Sequence, residues 1–209
     1  MTTATPNIFR RLTGQPDITR LKKKKTALLM IEFQGEHFTG KLPVEGAEAL
    51  LASAVKAMDW ADKNNILTVH IYHAAVSFAA LAFAPDSEGV AFYPPVLPRK
   101  KHLIQVKYAD SAFSGSPLHT ILQSNGIDTL ILAGMTTSSC ITATAHDARV
   151  LGYKCVVAAD LTASREVMSW DEARVVTAAK MQETALAGIA DKYAQVMLFS
   201  DITALPFEK

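Results

Sequence analysis

Cysteine is scarce in this sequence. Only Cys140 and Cys155 occur among 209 residues, too few for a disulfide framework, so a reducing, cytoplasmic setting is expected. No apolar run reaches about 18 residues, and no membrane span is expected. The formal net charge is only +1, which gives no electrostatic case for nucleic acid as a main partner. No G-x-G-x-x-G follows the first apolar run, which sets aside dinucleotide binding. The apolar core of a secretory leader is also missing from the first 25 residues. They are basic instead, with Arg10, Arg11, Arg20 and Lys22 to Lys25 against Asp17 alone. Residues 1–25 read as a basic arm packed on a single domain over 26–209.

What the chain does have is apolar residues, 49% of the total, arranged in short runs. They are Thr26 to Ile31, Ile66 to Tyr72, Leu103 to Val106, Thr129 to Ala133, Cys155 to Ala158 and Val196 to Phe199. Continuous runs of this length suit parallel strands buried on both faces. Helical spacing lies between most of them. Ala47 to Asn64 carries a stripe through Leu50, Leu51, Ala54, Val55, Met58 and Ala61. A second helix begins at Leu118 and closes at Asn125-Gly126. A third runs from Thr137 to Leu151. The longest is expected over Ser169 to Tyr193, with Ser169 and Glu172 as a capping box. Alternating elements predict an α/β doubly wound, mainly parallel six-stranded sheet with helices on both faces. Residues 74–101, rich in proline, read as a loop or lid with a short helix.

Ligands of such sheets bind at the carboxyl ends of strands. Cys140 follows one strand and opens a helix, where unpaired N–H groups and the helix dipole favour thiolate and could hold an oxyanion. Judged alone, a small buried cysteine is the bland alternative, and that reading suffices for Cys155. Lys107 ends another strand; beside a thiol its ammonium would lower the thiol pKa. Glu32 ends the first strand, where a carboxylate needs a partner against desolvation and could act as general base. Ends of adjacent strands thus offer an acid, a base and a thiol.

These segments resemble the isochorismatase-like cysteine hydrolase superfamily, which includes nicotinamidases and carbamoyl-amide hydrolases. Ala27 to Gln34 resembles its apolar strand ending in acid, any residue, glutamine. Lys107 to Phe113 resembles its lysine segment, and Thr137 to Asp147 its nucleophile helix. The match spans roughly Thr26 to Asp160, in family order. The resemblance implies a triad of Glu32, Lys107 and Cys140, and a cis peptide between Met135 and Thr136. It implies that the N–H groups of Thr136 and Cys140 form the oxyanion hole. It also implies hydrolysis of an amide, imide or carbamoyl C–N bond of a small molecule through a thioester on Cys140. A homo-oligomer, dimer or tetramer, is expected, and no cofactor. The substrate pocket is expected to include Gln34, His37, Phe38, His73, Phe78 and Tyr108.

Two features depart from the family pattern. Glutamate stands at position 32 where aspartate is usual; one methylene moves a carboxylate by about 1.5 Å, a misplacement that can cost about 100-fold in rate. The loop from Gly35 to Phe38 is one residue longer, which either reshapes the strand end around the longer acid or marks a site that has lost activity. A catalytically impaired, ligand-binding or assembly subunit is therefore the alternative reading. A vinyl-ether hydrolase of isochorismate type is a third, disfavoured by Cys140 and Lys107 together. The aspartate and two histidines that hold metal in nicotinamidases have Val69, Ile71 and Ala75 at their places. His70 and His73 are shifted from them, so no metal is expected.

Overall fold

The computed structural model describes residues 8–208. Strands β1 (Thr26–Ile31), β2 (Leu67–His73), β3 (Leu103–Lys107), β4 (Thr129–Met135), β5 (Lys154–Ala163) and β8 (Gln195–Met197) form one sheet. Its order is β3-β2-β1-β4-β5-β8, and every pairing is parallel. Strands β6 (Val167–Met168) and β7 (Val175–Val176) make a separate antiparallel hairpin. The helices are α1 (Phe9–Leu12), α2 (Ala47–Asn64), α3 (Leu118–Ser124), α4 (Thr142–Val150), α5 (Ala178–Lys192) and α6 (Phe199–Ala204).

The two faces of β1 show why the sheet is covered on both sides. Leu28 and Met30 pack with Leu50, Ala54, Ala57, Met58 and Ala61 of α2 and with Phe199 and Ile202 of α6. Leu29 and Ile31 face the other way, onto Leu118 and Leu122 of α3, Ala145 and Ala148 of α4, and Ile189 of α5. The period of two along the strand sends alternate side chains into separate cores. Each fully buried Leu or Met contributes about 1.5–3 kcal/mol. The expected doubly wound α/β architecture is the one observed. Helix α2 has the bounds its stripe predicts and ends at Asn65, whose left-handed backbone returns its N–H to Ala61 and Asp62.

Three expectations change. Helix α5 begins at Ala178, not Ser169, with the Thr177 side chain capping Lys180 N–H. Ser169 and Glu172 instead occupy the β6–β7 turn, where Ser169 N–H bonds Arg174 O and Ser169 Oγ bonds Asp171. The β-branched pair Val175-Val176 prefers the hairpin to a helix. Among residues 74–101, all described, there are turns and no helix. Finally, β1 and β3 are not neighbours, because β2 lies between them.

The chain departs in opposite directions on either side of β1 and β4, which opens the crevice where such folds bind ligands. Gly134 makes that approach feasible. Its φ is +131°, and a Cβ there would sit 1.9 Å from Ile31 O. No helix of the described residues is long and apolar enough to cross a membrane.

Candidate active site

Glu32 follows β1 in a left-handed conformation, φ 56°, and its N–H still bonds Ile71 O at 2.7 Å. The backbone turn sends the side chain across the strand ends. Lys107 closes β3 in register with His73, and its side chain reaches past β2. Its Nζ donates to Ala109 O at 2.7 Å and to Cys140 Sγ at 3.4 Å. It also lies 2.5 Å from Glu32 Oε1, a close ion pair without the alignment of a hydrogen bond. Cys140 sits in a wide π turn, Thr137–Ile141, that leads into α4. The peptide bond between Met135 and Thr136, just before that turn, is cis.

All of these groups are removed from solvent. Glu32 is 2% exposed, Lys107 0% and Cys140 7%. Burial raises the Glu32 pKa, but the His37 hydrogen bond and the Lys107 charge outweigh it and bring it to about 2. The thiol of Cys140 goes the other way, to about 12, through burial and the neighbouring Glu32 charge, with Lys107 pulling against both. The helix-start expectation of a lowered thiol pKa therefore does not describe the resting site. These shifts favour a carboxylate at Glu32 and keep the proton on the sulfur of Cys140.

His37 holds the fourth corner. It lies in a 3-10 turn, Gly35–His37, with Nε2 2.9 Å from Glu32 Oε2 and Nδ1 3.2 Å from Leu42 O. The same loop buries Glu36, whose carboxylate accepts Lys41 N–H at 2.6 Å and Phe83 N–H at 3.4 Å. A Cβ at Gly89 would stand 2.3 Å from Glu36 Oε2, so that carboxylate would have to shift to admit one. Neither Glu36 nor Phe83 carries a recognisable signal in the sequence. The extra residue between Gln34 and Phe38 is the one trace of this altered loop.

The remaining pocket candidates scatter. Gln34 is fully buried and spends its amide on His73 N–H, His73 O and Val90 O, so it ties loops together. Phe38 stacks on Tyr93, centroids 4.6 Å apart, against the α2-side core. Phe78 is 74% exposed. Tyr108 lines a cavity of about 670 Å³ with Tyr72, Val76, Phe92 and Val106, beside the cluster rather than over it. His73 is half-buried with its ring against Phe83; burial first, then Lys107, depresses its pKa. His70 bonds His102, not His73, at 3.0 Å. A second cavity, about 420 Å³, lies at the opposite end of the sheet, between residues 10–22 and residues 128–129, 149–155 and 193–195.

Comparison with known proteins agrees with the fold. The isochorismatase domain model matches residues 26–198. An uncharacterized isochorismatase family protein of Bacillus subtilis is 30% identical, over 82% of this chain and 94% of its own. A maleamate amidohydrolase of Pseudomonas putida is 30% identical, over 68% of this chain and 74% of its own. Among solved structures, an isochorismatase from Pseudomonas putida superposes with a TM-score of 0.84 at 27% identity, over 94% of this chain and 99% of that one.

Proposed function

The chain belongs to the isochorismatase family of hydrolases, and from that premise we propose that it is a cysteine hydrolase of a small amide, imide or carbamoyl compound. The observation that carries this reading is the chain of contacts from Cys140 Sγ to Lys107 Nζ, 3.4 Å, and on to Glu32 Oε1, 2.5 Å. It sets a nucleophile, a cation and a base within reach of one carbonyl. A relative named for amide hydrolysis lends support.

With Glu32 near 2 and Cys140 near 12, full proton transfer in the resting site is uphill. The proton leaves sulfur for the Glu32 carboxylate as the C–S bond forms, and Lys107 compensates the charge of the changing pair. The N–H groups of Thr136 and Cys140 receive the oxyanion. Collapse breaks the C–N bond, and the departing amine takes the proton from Glu32. Water then attacks the thioester, Glu32 accepts its proton, and the carboxylic or carbamic acid leaves as Cys140 regains a hydrogen.

The test is incubation with maleamate and a panel of N-carbamoyl amino acids, followed by intact-mass analysis. Ammonia or amine release with a trapped acyl group on Cys140, both lost in Cys140→Ala, is the expected result. Activity that survives in Cys140→Ala would favour vinyl-ether or other thiol-independent chemistry. The buried, protonated thiol favours the second reading, an impaired ligand-binding or assembly subunit; absence of any turnover or acylation would bring that reading forward. A homo-oligomer is part of the proposal, motivated by the exposed Val76, Phe78 and Leu81, as is a cytoplasmic location.

A further inference from the structure

The hydrogen bonds of His37 fix a proton count. Leu42 O can only accept, so His37 Nδ1 carries a hydrogen. His37 Nε2 stands 2.9 Å from Glu32 Oε2. A neutral ring protonated at Nδ1 would aim a lone pair at that carboxylate oxygen. One more proton must therefore lie between the two groups. Glu32 also faces Lys107 through its other oxygen, so the carboxylate form is favoured and the proton belongs on the ring.

Other charges around the ring agree with this placement. From β2, the His73 ring meets the same Phe83 ring, and burial, then Lys107, lowers its pKa. Glu36, on the same turn, is spent on backbone N–H groups. Lys107 lies beyond Glu32, and Asp110 acts on His73. With the ring protonated, the buried cluster holds two cations and one anion beside a neutral thiol. It is one negative charge short, and the missing charge matches what the thiol or a substrate oxygen would develop during reaction.

We infer that His37 is held as an imidazolium between Leu42 O and Glu32, and that it is the positioning residue which lets a glutamate serve where this family pattern has aspartate. It pins Oε2 and leaves Oε1 to Lys107, so the longer side chain has one orientation. It also supplies the second positive charge of the site. This inference rests on the cysteine-hydrolase reading for its catalytic meaning, while the proton count stands on geometry alone.

Two measurements on the full chain test it. Nitrogen-15 NMR of the imidazole rings at neutral pH, with the signal assigned by its loss in His37→Gln, should show both His37 nitrogens protonated. A neutral ring with one protonated nitrogen overturns the inference. Iodoacetamide labelling, read by mass spectrometry, supplies the second arm. His37→Phe should slow alkylation of Cys140 by about tenfold or more, the effect of one unit in thiol pKa. His37→Gln, which keeps a neutral donor, should recover part of the loss. Unchanged Cys140 labelling in both variants overturns the role in the site. Cys155, buried in the core, reports folding: its labelling must stay slow, and His37→Gln decides if His37→Phe unfolds. Should wild-type Cys140 label no faster than Cys155, the hydrolase reading fails, while the NMR result still decides the charge of His37.

Discussion

The two ends of the sheet handle charge in opposite ways. At the amino ends, ion pairs lie in or near water: Lys22 with Glu208 at 2.9 Å and Lys25 with Asp128 at 3.7 Å, the lysines about half exposed. At the carboxyl ends, Glu32, His37 and Lys107 form contacts of similar length with almost no exposure. Each end also has a cysteine. Cys155, in β5 near the amino ends, is raised by burial alone. Cys140 feels burial, an anion and a cation together. Solvated pairs can be lost at little cost, whereas removing one member of a buried cluster is costly because each member is the solvation of the others. That asymmetry locates function better than any distance in isolation.

The strongest way to break the comparison is Lys107→Met. It leaves Glu32 with His37 as its one ionic partner, and loss of one partner from a buried pair costs about 3–5 kcal/mol. Thermal unfolding should show a midpoint lower by about 10 °C, and Cys140 should lose its preferential alkylation. A shift of a degree or less would mean the buried cluster behaves like the surface pairs. Next comes Gly134→Ala. The added Cβ meets Ile31 O and a backbone conformation disfavoured for L residues, so a loss of about 2–4 kcal/mol is expected in urea unfolding. A neutral result would show that the β1–β4 approach is looser than described.

Acid should separate the ends more gently. The folded Glu32 pKa, about 2, lies below its ordinary 4.5. A depressed carboxylate stabilises the fold above its unfolded value and loses that contribution as pH falls toward the folded one. The melting temperature should therefore drop between about pH 4.5 and pH 2, and Glu32→Gln should flatten that drop from a lower plateau. An unchanged slope in Glu32→Gln would assign acid sensitivity elsewhere. The smallest effect is expected for Lys22→Ala, about one degree at most in melting temperature. A large fall there would overturn the view of the amino-end pairs as dispensable.

The sheet is legible in the sequence because its strands are buried on both faces and read as continuous apolar runs. Helix α2 is legible because its stripe from Leu50 to Ala61 keeps one period between two clear ends. Helix α5 misleads at its start: Ser169 and Glu172 have the spacing of a cap, while Val175-Val176 pairs with Val167-Met168 and takes that segment into a hairpin. The strand ends bearing Glu32, Lys107 and Cys140 can be found from apolar runs and motif resemblance. That Lys107 reaches across β2 cannot, since strand order is not written locally. His37 reads from sequence only as a polar neighbour. Its partnership depends on a loop folding back so that Leu42 O and Glu32 lie on opposite sides of one ring. Gln34 shows the converse, a motif residue whose buried amide joins β2 to Val90.

The backbone at Glu32 adds a constraint of a different kind. Left-handed geometry at φ 56° is tolerated best by glycine, asparagine and aspartate, whose short side chains interfere least with the turn. Main-chain preference and side-chain reach thus pull toward different residues at this position. Exchange to aspartate would relax the main chain yet withdraw the carboxylate from His37. An ancestor or engineered variant could cross between the two acids only by changing position 37 or the loop length with it. Positions 32 and 37 should therefore be inherited as a pair.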